Sequence, residues 1–292
     1  MSNAFADILD RAITRVGSPI CVGLDPVFES LPEACKSEQD APAAIRRFSL
    51  DVIDAVKAHA AAIKPQSACY ERYGSAGYAA LEHACRYARD QGLVVVLDGK
   101  RGDIGISAGH YAASAVALGA HAVTVNGYLG TSSIEPYLKA GLGVFVLVRT
   151  SNPDSDEVQS QRLADGRSVA ESLAGLVASL GRSHMGQGGL SSVGAVVGAT
   201  KSADGTALRA AMPDQIFLVP GYGAQGGKPD DIRALLRPDG RGGGGVLVTA
   251  SRSIIYAAPM QGQRWTAAVE AAAKLMAAEI AGVVKHTQAV VK

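Results

Sequence analysis

The chain has 292 residues, of which 48% are hydrophobic, with a formal net charge of +1 and a mean hydropathy of +0.13. This length and composition predict a globular protein whose residues 1–292 bury a sizeable core in one domain. The balanced charge gives no sign of a nucleic acid or an anionic membrane as a partner. A small phosphorylated ligand stays possible, because it needs only a local positive site.

The first residues and the cysteine pattern indicate a protein of the cytoplasm. The stretch MSNAFADILDRAITRVG has no basic region followed by an apolar block, so it predicts an amphipathic helix over 3–16 rather than a signal peptide. Charged residues interrupt the apolar segment 267–284, which is typical of a helix packed on a core. The four cysteines and six histidines lack the spacings of zinc ligands. We expect reduced thiols, no membrane span and no zinc site.

Short β-rich apolar runs alternate with turn residues and with Ala-rich stretches of helical length, which is the pattern of repeated βα units. The predicted strands are 20–26, 61–66, 93–100, 122–128, 143–150, 194–200, 215–223 and 245–253. The predicted helices lie near 42–60, 76–91, 105–119, 131–141, 167–182, 203–212, 229–237 and 262–284. Eight of each favour an α/β fold of the closed (β/α)8 type, the TIM barrel, over an open doubly wound sheet. The helix over 3–16 would close the barrel floor.

Three glycine-rich stretches fall at opposite ends of the predicted barrel. GQGG (186–189) and GRGGGG (240–245) precede strands, so we place them on the N-terminal floor and interpret them as flexible connectors. GYGAQGG (221–227) follows the seventh strand, and it therefore lies on the rim where barrel enzymes carry their catalytic groups.

The run LVVVLDGKRGDI (93–104) ends an apolar strand with charges of both signs. Residues two apart on a strand project to the same side, so Asp98 and Lys100 are expected to enter the barrel mouth together. Asp25 and Lys64 end the first two strands, and Asp103 follows in the next loop or helical turn. Functional groups of this fold concentrate at strand C-termini, which favours a catalytic cluster. The alternative is a salt-bridge network that only closes the barrel top.

The loops after the seventh and eighth strands, 217–227 and 249–254, lie where barrels frequently bind phosphate. Arg252 offers a bidentate fork and Gln225 an amide donor. The backbone amides that can cradle oxygens are those around Gly226, Gly227 and Ser251. A tight loop without a ligand is the alternative interpretation. After the fifth strand come Thr150, Ser151 and Asn152. Their side chains can form hydrogen bonds to a polar ring, or they can form a helix cap.

Six stretches match one known family in order: GLDP (23–26), IKPQ (63–66), LDGKRGDIG (97–105), TSNP (150–153), VPGYGAQGG (219–227) and SRSI (251–254). Together they resemble the orotidine 5′-phosphate decarboxylases, and more particularly their longer bacterial branch. The matches run over residues 20–254, and LDGKRGDI is highly specific for the family. The resemblance implies conversion of orotidine 5′-monophosphate to UMP and CO2, the last step of de novo UMP biosynthesis. It also implies a homodimer of barrels that needs no metal or organic cofactor.

The resemblance assigns roles to single residues. The charged catalytic array is implied to be Lys64, Asp98, Lys100 and Asp103, with Lys100 stabilising a carbanion at C6 and then protonating it. Asp103 and Ile104 would reach across to the partner's site. The implied substrate contacts are Asp25 and Lys64 at the ribose, Ser151 at the pyrimidine edge, and Gln225 and Arg252 at the phosphate. The substrate-binding set also includes Ile104, Pro220, Ser251 and Ser107, which stands where many relatives carry Thr.

Two other functions compete with this interpretation. Mg2+-dependent sugar-phosphate decarboxylases or aldolases of the same superfamily share a DxKxxD motif, but they carry an acidic metal ligand at the end of the second strand. This chain has Lys64 there. A non-catalytic nucleotide-binding barrel is expected to have lost a charged partner, yet the whole predicted array is present. The sequence leaves open the role of the connection 154–190 and of Tyr222.

Overall fold

The computed structural model describes residues 4–37, 40–223 and 226–290 of the chain. Within these residues, eight parallel strands close into a barrel in which each strand pairs with the next and β8 pairs with β1. The strands are β1 Ile20–Leu24, β2 Ala62–Pro65, β3 Val94–Arg101, β4 Ala122–Val125, β5 Gly143–Arg149, β6 Ser191–Val197, β7 Gln215–Val219 and β8 Val246–Ala250. The predicted closed (β/α)8 barrel is confirmed.

Helices alternate with these strands, and one helix precedes β1. Their bounds are α1 Phe5–Val16, α2 Glu33–Lys36, α3 Ala41–Val56, α4 Ser67–Glu71, α5 Gly74–Asp90, α6 Gly105–Ala117, α7 Glu135–Lys139, α8 Asp156–Gln159, α9 Val169–Gly181, α10 Gly205–Ala211, α11 Pro229–Arg233, α12 Arg241–Gly244, α13 Arg252–Ile255 and α14 Trp265–Val290. None of the described helices has the length and apolar character needed to cross a bilayer.

Some predicted boundaries are wrong for local reasons. The helix predicted over 131–141 is split into a 3-10 turn, Thr131–Ser133, and α7, because Pro136 lacks an amide hydrogen and suits only the first turn of a helix. β6 begins at Ser191 rather than at the predicted residue 194. The fourth, seventh and eighth strands end before their predicted limits. The chain continues after β4 as a 3-10 helix, Gly127–Leu129, and after β8 as α13.

Two helices begin at caps that the sequence encodes. Asp40 accepts a hydrogen bond from the amide of Ala43 at the start of α3. At the start of α9, Ser168 and Glu171 form a reciprocal capping box. Because these caps satisfy amides that have no partner inside the helix, they fix where α3 and α9 begin.

Alternation along the strands divides the core into two layers. On β3, Val95 and Leu97 belong to the layer between the barrel and its helices, whereas Val94 and Val96 belong to the inner layer. Successive side chains of a strand point to opposite faces. The inner face of β3 therefore continues to Asp98 at the mouth of the barrel, above an apolar interior.

Helix α1 and a glycine-rich turn close the floor of the barrel. Phe5 of α1 packs edge-on against Phe145, with the ring centroids 5.6 Å apart. In the segment 240–245, Gly242 has a φ of 58°, and a Cβ there would lie 2.2 Å from the side chain of Leu190. The segment is a packed left-handed turn, so its prediction as a flexible connector is wrong, although its place on the floor is as expected.

The second predicted connector, 186–189, is also fixed in place. The amide of Gly188 donates a hydrogen bond to Oδ1 of Asp7 on α1, at 3.1 Å. The amide of Gly186 donates to the carbonyl of Leu190, at 2.8 Å. The first bond joins the glycine-rich turn to α1 and the second closes the turn itself. The opposite end of the barrel is left for the functional site.

Candidate active site

Three neighbouring strands bring charged side chains to the mouth of the barrel. Asp25 follows β1, Lys64 lies in β2, and Asp98 and Lys100 lie near the end of β3. Parallel pairing of β1 with β2 and of β2 with β3 aligns the carboxyl ends of the three strands. The barrel thus places the four predicted residues on one rim.

Asp98 is the centre of this cluster. Its Oδ2 accepts a hydrogen bond from Nζ of Lys64 at 2.7 Å. Its Oδ1 accepts from Nζ of Lys100 at 2.8 Å and from Oγ1 of Thr124 at 2.9 Å. Asp98 is 6% exposed and Lys64 is 7% exposed. A buried charge is costly unless its partners satisfy it, and here both carboxylate oxygens are satisfied.

The neighbouring charges keep the buried pair ionised. Burial alone would raise the pKa of Asp98, but the ammonium groups of Lys64 and Lys100 hold it at about 2. Burial alone would lower the pKa of Lys64, but the carboxylates of Asp98 and Asp25 outweigh burial and raise it above its ordinary value. The mouth therefore carries fixed opposite charges at neutral pH.

Asp25 links the loop after β1 to the loop after β8. Its Oδ1 lies 4.0 Å from Nζ of Lys64, and its Oδ2 accepts a hydrogen bond from Oγ of Ser251 at 2.5 Å. The hydroxyl of Tyr256 donates to the carbonyl of Asp25 and accepts from the amide of Val27. These bonds connect the charged cluster to the loop that carries Arg252.

The backbone at Lys100 departs from regular strand geometry. Lys100 has a φ of 43° and is the only non-glycine residue with positive φ in the described parts of the chain. The pairing of β3 with β4 shifts register between Leu97 and Arg101. The predicted meeting of the two side chains occurs, but an irregular strand end produces it rather than simple alternation.

The cluster opens into a cavity of about 420 Å³. The residues predicted for the site that line it are Asp25, Lys64, Asp98, Lys100, Ser151, Pro220, Ser251 and Arg252. Arg252 is exposed, and no ion pair joins it to a carboxylate of the described residues. One cavity therefore holds the charged cluster on one side and an unneutralised guanidinium at its rim.

Three predicted site residues of the described chain do not line this cavity. Asp103 and Ile104 lie outside it, where Oδ1 of Asp103 accepts a hydrogen bond from the amide of Ile104 at 2.8 Å. Ser107 is exposed in the first turn of α6. Gln225 lies outside the described residues.

The loop 221–227 differs in part from the predicted amide cradle. The amide of Gly226 donates to the carbonyl of Gly223, and the amide of Gly227 donates to the carbonyl of Gly221. Both amides therefore hold the turn itself, and the amide cradle around Gly226, Gly227 and Ser251 stays a prediction. Tyr222 is buried and lines the cavity, while burial and a hydrogen bond with Glu279 of α14 raise its pKa.

Several polar lining residues were not predicted as part of the site. They are Gln66, Thr124, Gln159 and Thr249, together with Thr150 and Asn152, whose role the sequence leaves ambiguous. Gln159 accepts from the amide of Thr150 and donates to its Oγ1, both at 2.9 Å. The connection 154–190 thus contributes one wall of the cavity. Thr124 had a signal in the sequence, as a polar residue between two valines of an apolar run.

The donor set at the mouth does not suit a divalent cation. Among the residues that the structure describes, no group of three or more His, Cys, Asp or Glu side chains is placed to hold a metal ion. Lys64 stands at the end of β2, and two ammonium groups already neutralise Asp98. Hard cations need several oxygen ligands, so the arrangement suits an anionic ligand instead.

Comparison with known proteins gives one consistent result. The family model described as Orotidine 5′-phosphate decarboxylase / HUMPS family matches residues 18–265. The chain is 41% identical to an orotidine 5′-phosphate decarboxylase of Rhodopirellula baltica, covering 87% of this chain and 88% of that one. It is 40% identical to one of Deinococcus radiodurans, covering 88% and 91%. The solved structure of Leishmania donovani OMP decarboxylase is 34% identical, with a TM-score of 0.79 and coverage of 97% and 99%.

The buried Asp98 predicts a specific pH dependence of stability. Its pKa is about 2 in the folded chain and 3.8 ordinarily, so it contributes stability above pH 3.8 that is lost as the pH falls towards 2. When the pH falls from 6 to 3, the free energy of unfolding should decrease in both proteins. The decrease should be about 1 kcal/mol smaller in Asp98→Asn than in the wild type. Urea unfolding followed by the fluorescence of Trp265 measures this. Asp90→Asn, at an exposed position of α5, should keep the wild-type dependence, whereas equal slopes for all three proteins would refute the paired carboxylate.

Proposed function

Because the chain belongs to the orotidine 5′-phosphate decarboxylase family, we propose that it converts orotidine 5′-monophosphate to UMP and CO2, the last step of de novo UMP biosynthesis. The observation that carries the proposal is the array of Lys64, Asp98 and Lys100 in one cavity with Arg252. Identity of about 40% over most of the chain supports the same activity. A cytoplasmic location and membership of the longer bacterial branch stay predictions.

The chemistry of the reaction calls for fixed charges. Loss of CO2 from C6 leaves an electron pair in an sp² orbital that the ring π system cannot delocalise. Preorganised charges in a site with little water stabilise such an anion more than bulk water does. Lys100 is the group proposed to serve it, because its ammonium can stabilise the developing charge at C6 and then give C6 a proton.

Asp98 and Lys64 hold the Lys100 ammonium in position. Asp98 binds the Lys100 ammonium at 2.8 Å, and Lys64 holds the other carboxylate oxygen at 2.7 Å. We assign Asp98 to the side of the substrate carboxylate, where repulsion between the two anions falls as CO2 leaves. Because two lysines and a threonine hold it, Asp98 keeps its charge through this step.

We assign the remaining lining residues to three parts of the substrate: the ribose, the pyrimidine and the phosphate. Asp25 and Lys64 are assigned to the ribose hydroxyls, and Ser151 to the edge of the pyrimidine. Arg252 is assigned to the phosphate, because its guanidinium lies at the cavity rim without a carboxylate partner in the described chain. Pro220 and Ser251 complete the wall, and Gln225 remains a proposed phosphate contact. Binding a phosphate remote from C6 gives energy for orienting the reacting ring.

The proposed reaction needs no metal or organic cofactor, and an assay tests this together with the activity. The decrease in absorbance of orotidine 5′-monophosphate is followed in buffer that contains EDTA. Full activity is expected, because lysines rather than a cation neutralise the carboxylates of the site. Activity that EDTA abolishes and Mg2+ restores would favour the rival Mg2+-dependent enzyme. No conversion at all would refute the proposed function.

A homodimer accounts for the residues that the cavity leaves out. Asp103 does not line its own cavity, and Ile104 is 59% exposed. Ile106 and Tyr128 are 82% and 85% exposed on the segments that follow β3 and β4. Exposed apolar side chains that form a contiguous patch mark sites of protein–protein interaction. We propose that it pairs with a second copy, and that Asp103 and Ile104 reach the partner's site.

Lys100→Ala should nearly abolish turnover and leave binding of UMP largely intact. Removing both the charge that stabilises the carbanion and its proton donor should lower kcat by about 10⁴-fold or more. Single-turnover kinetics and calorimetric titration with UMP measure the two quantities. Lys139→Ala, at an exposed position of α7, is the matched control and should behave as wild type. An active Lys100→Ala variant would remove the proposed mechanism.

Arg252→Ala should act mainly on binding through the phosphate. Loss of a charge-assisted bidentate contact should raise KM for orotidine 5′-monophosphate by roughly 10- to 100-fold. The reaction of the phosphate-free nucleoside orotidine should hardly change, because it lacks the group that Arg252 binds. Steady-state kinetics on both substrates measure this, with exposed Arg233→Ala as the control. An unchanged KM would rule out the phosphate contact.

Mixing two inactive variants tests the shared site. If Asp103 serves the partner's site, a mixed dimer of Lys100→Ala and Asp103→Ala contains one intact site. After exchange of equal amounts, activity should recover to at most about a quarter of wild type. Mixing Lys100→Ala with Asp98→Ala should recover nothing, because both residues belong to the same copy's cluster. If Asp103→Ala alone is inactive and neither mixture recovers activity, Asp103 acts in its own chain and the shared site is refuted.

A further inference from the structure

The end of β3 departs from regular strand geometry at Lys100. β3 and β4 pair Leu97 with Val123 and Arg101 with Val125, so the intervening segment holds more residues on β3 than on β4. A bulge of this kind re-aims side chains. The φ of 43° at Lys100 is strained for a residue with a side chain, and it persists only when neighbouring groups hold it.

One hydroxyl group holds this bulge. Thr124 of β4 is 1% exposed, and its Oγ1 accepts a hydrogen bond from the backbone amide of Lys100 at 2.9 Å. The same hydroxyl donates to Oδ1 of Asp98, also at 2.9 Å. Oδ1 is the oxygen that binds Nζ of Lys100. Thr124 therefore fixes both the backbone of Lys100 and the carboxylate oxygen that holds its ammonium.

The surroundings of Thr124 indicate that the hydroxyl matters more than the shape of the side chain. β4 reads AVTV, and Thr124 is its one polar residue. Ala122, two residues earlier on the same face, belongs to the apolar inner layer. Valine has nearly the shape of threonine and is equally favoured in strands, so packing alone would not require a hydroxyl here. The two hydrogen bonds give the reason for it.

We propose that Thr124 is a positioning residue for decarboxylation, whose hydroxyl holds the Lys100 backbone and Asp98 so that the Lys100 ammonium is directed at C6 of the substrate. This inference rests on the proposed function, in which Lys100 serves the carbanion. The Lys100 side chain is 48% exposed, so packing leaves it room to move. Misplacing a reacting group by about 1 Å can cost about 100-fold in rate. The hydrogen bonds of Thr124 go to Lys100 and Asp98 rather than to Asp25, Lys64 or Arg252, so we expect ribose and phosphate binding to change little without its hydroxyl.

Thr124→Val, Thr124→Ser and the control Thr14→Val test the proposal in the full-length enzyme. Thr124→Val should lower kcat by about 10- to 100-fold, with KM and the affinity for UMP within about twofold of wild type. Thr124→Ser keeps the hydroxyl and should retain kcat within about threefold. Thr14 is exposed on α1, far from the mouth, and Thr14→Val should match wild type. Kinetics and UMP titration at one pH measure all four proteins.

The outcomes separate a positioning role from a structural one. Wild-type kcat in Thr124→Val would overturn the proposal, as would an equal loss in Thr124→Ser, since the missing methyl group would then explain both. Loss of UMP affinity in step with kcat would show a general packing role and would also overturn it. If Thr124→Val does not fold, Thr124→Ala makes the same comparison with Thr124→Ser. A wild-type protein that fails to decarboxylate refutes the proposed function itself, which is a different result.

Discussion

The hydrogen-bonded pair of Lys64 and Asp98 is the interaction on which the proposed site depends. Removing a carboxylate and an ammonium from water costs several kcal/mol for each ion, so the pair exists only because further partners share it. Lys100 and Thr124 bind one oxygen of Asp98, while Asp25 lies near Lys64. The result is a group of charges whose positions are set before a ligand arrives. Preorganisation of this kind is what the stabilisation of a localised carbanion requires.

The closed barrel makes this arrangement possible with short strands. Each strand sends alternate side chains inward, and the apolar residues of the interior support the charged residues at the mouth. Helix α1 and the glycine-rich turns close the floor of the barrel, so the floor serves stability and the mouth carries the functional residues. Links between neighbouring loops, such as Ser251 with Asp25, join the phosphate side of the cavity to the charged side. Stability residues and functional residues therefore occupy different parts of the same strands.

The sequence predicted the barrel and the residues that meet at its mouth, because strand periodicity and strand order are both encoded locally. It did not predict the irregular end of β3, since the positive φ of Lys100 depends on a hydroxyl supplied by the next strand. Thr124 was missed because a single threonine in an apolar strand is also common in a core. Gln159 was missed because its contact with Thr150 depends on how a long connection folds back.

A crystal structure with a UMP analogue that carries an unreactive anionic group at C6 tests the central claim most directly. We expect Nζ of Lys100 within about 3 Å of that group while it keeps its contact with Asp98, and the phosphate against Arg252. A structure in which the Lys100 ammonium turns away from C6, with no other proton donor in its place, would contradict the proposed electrostatic mechanism.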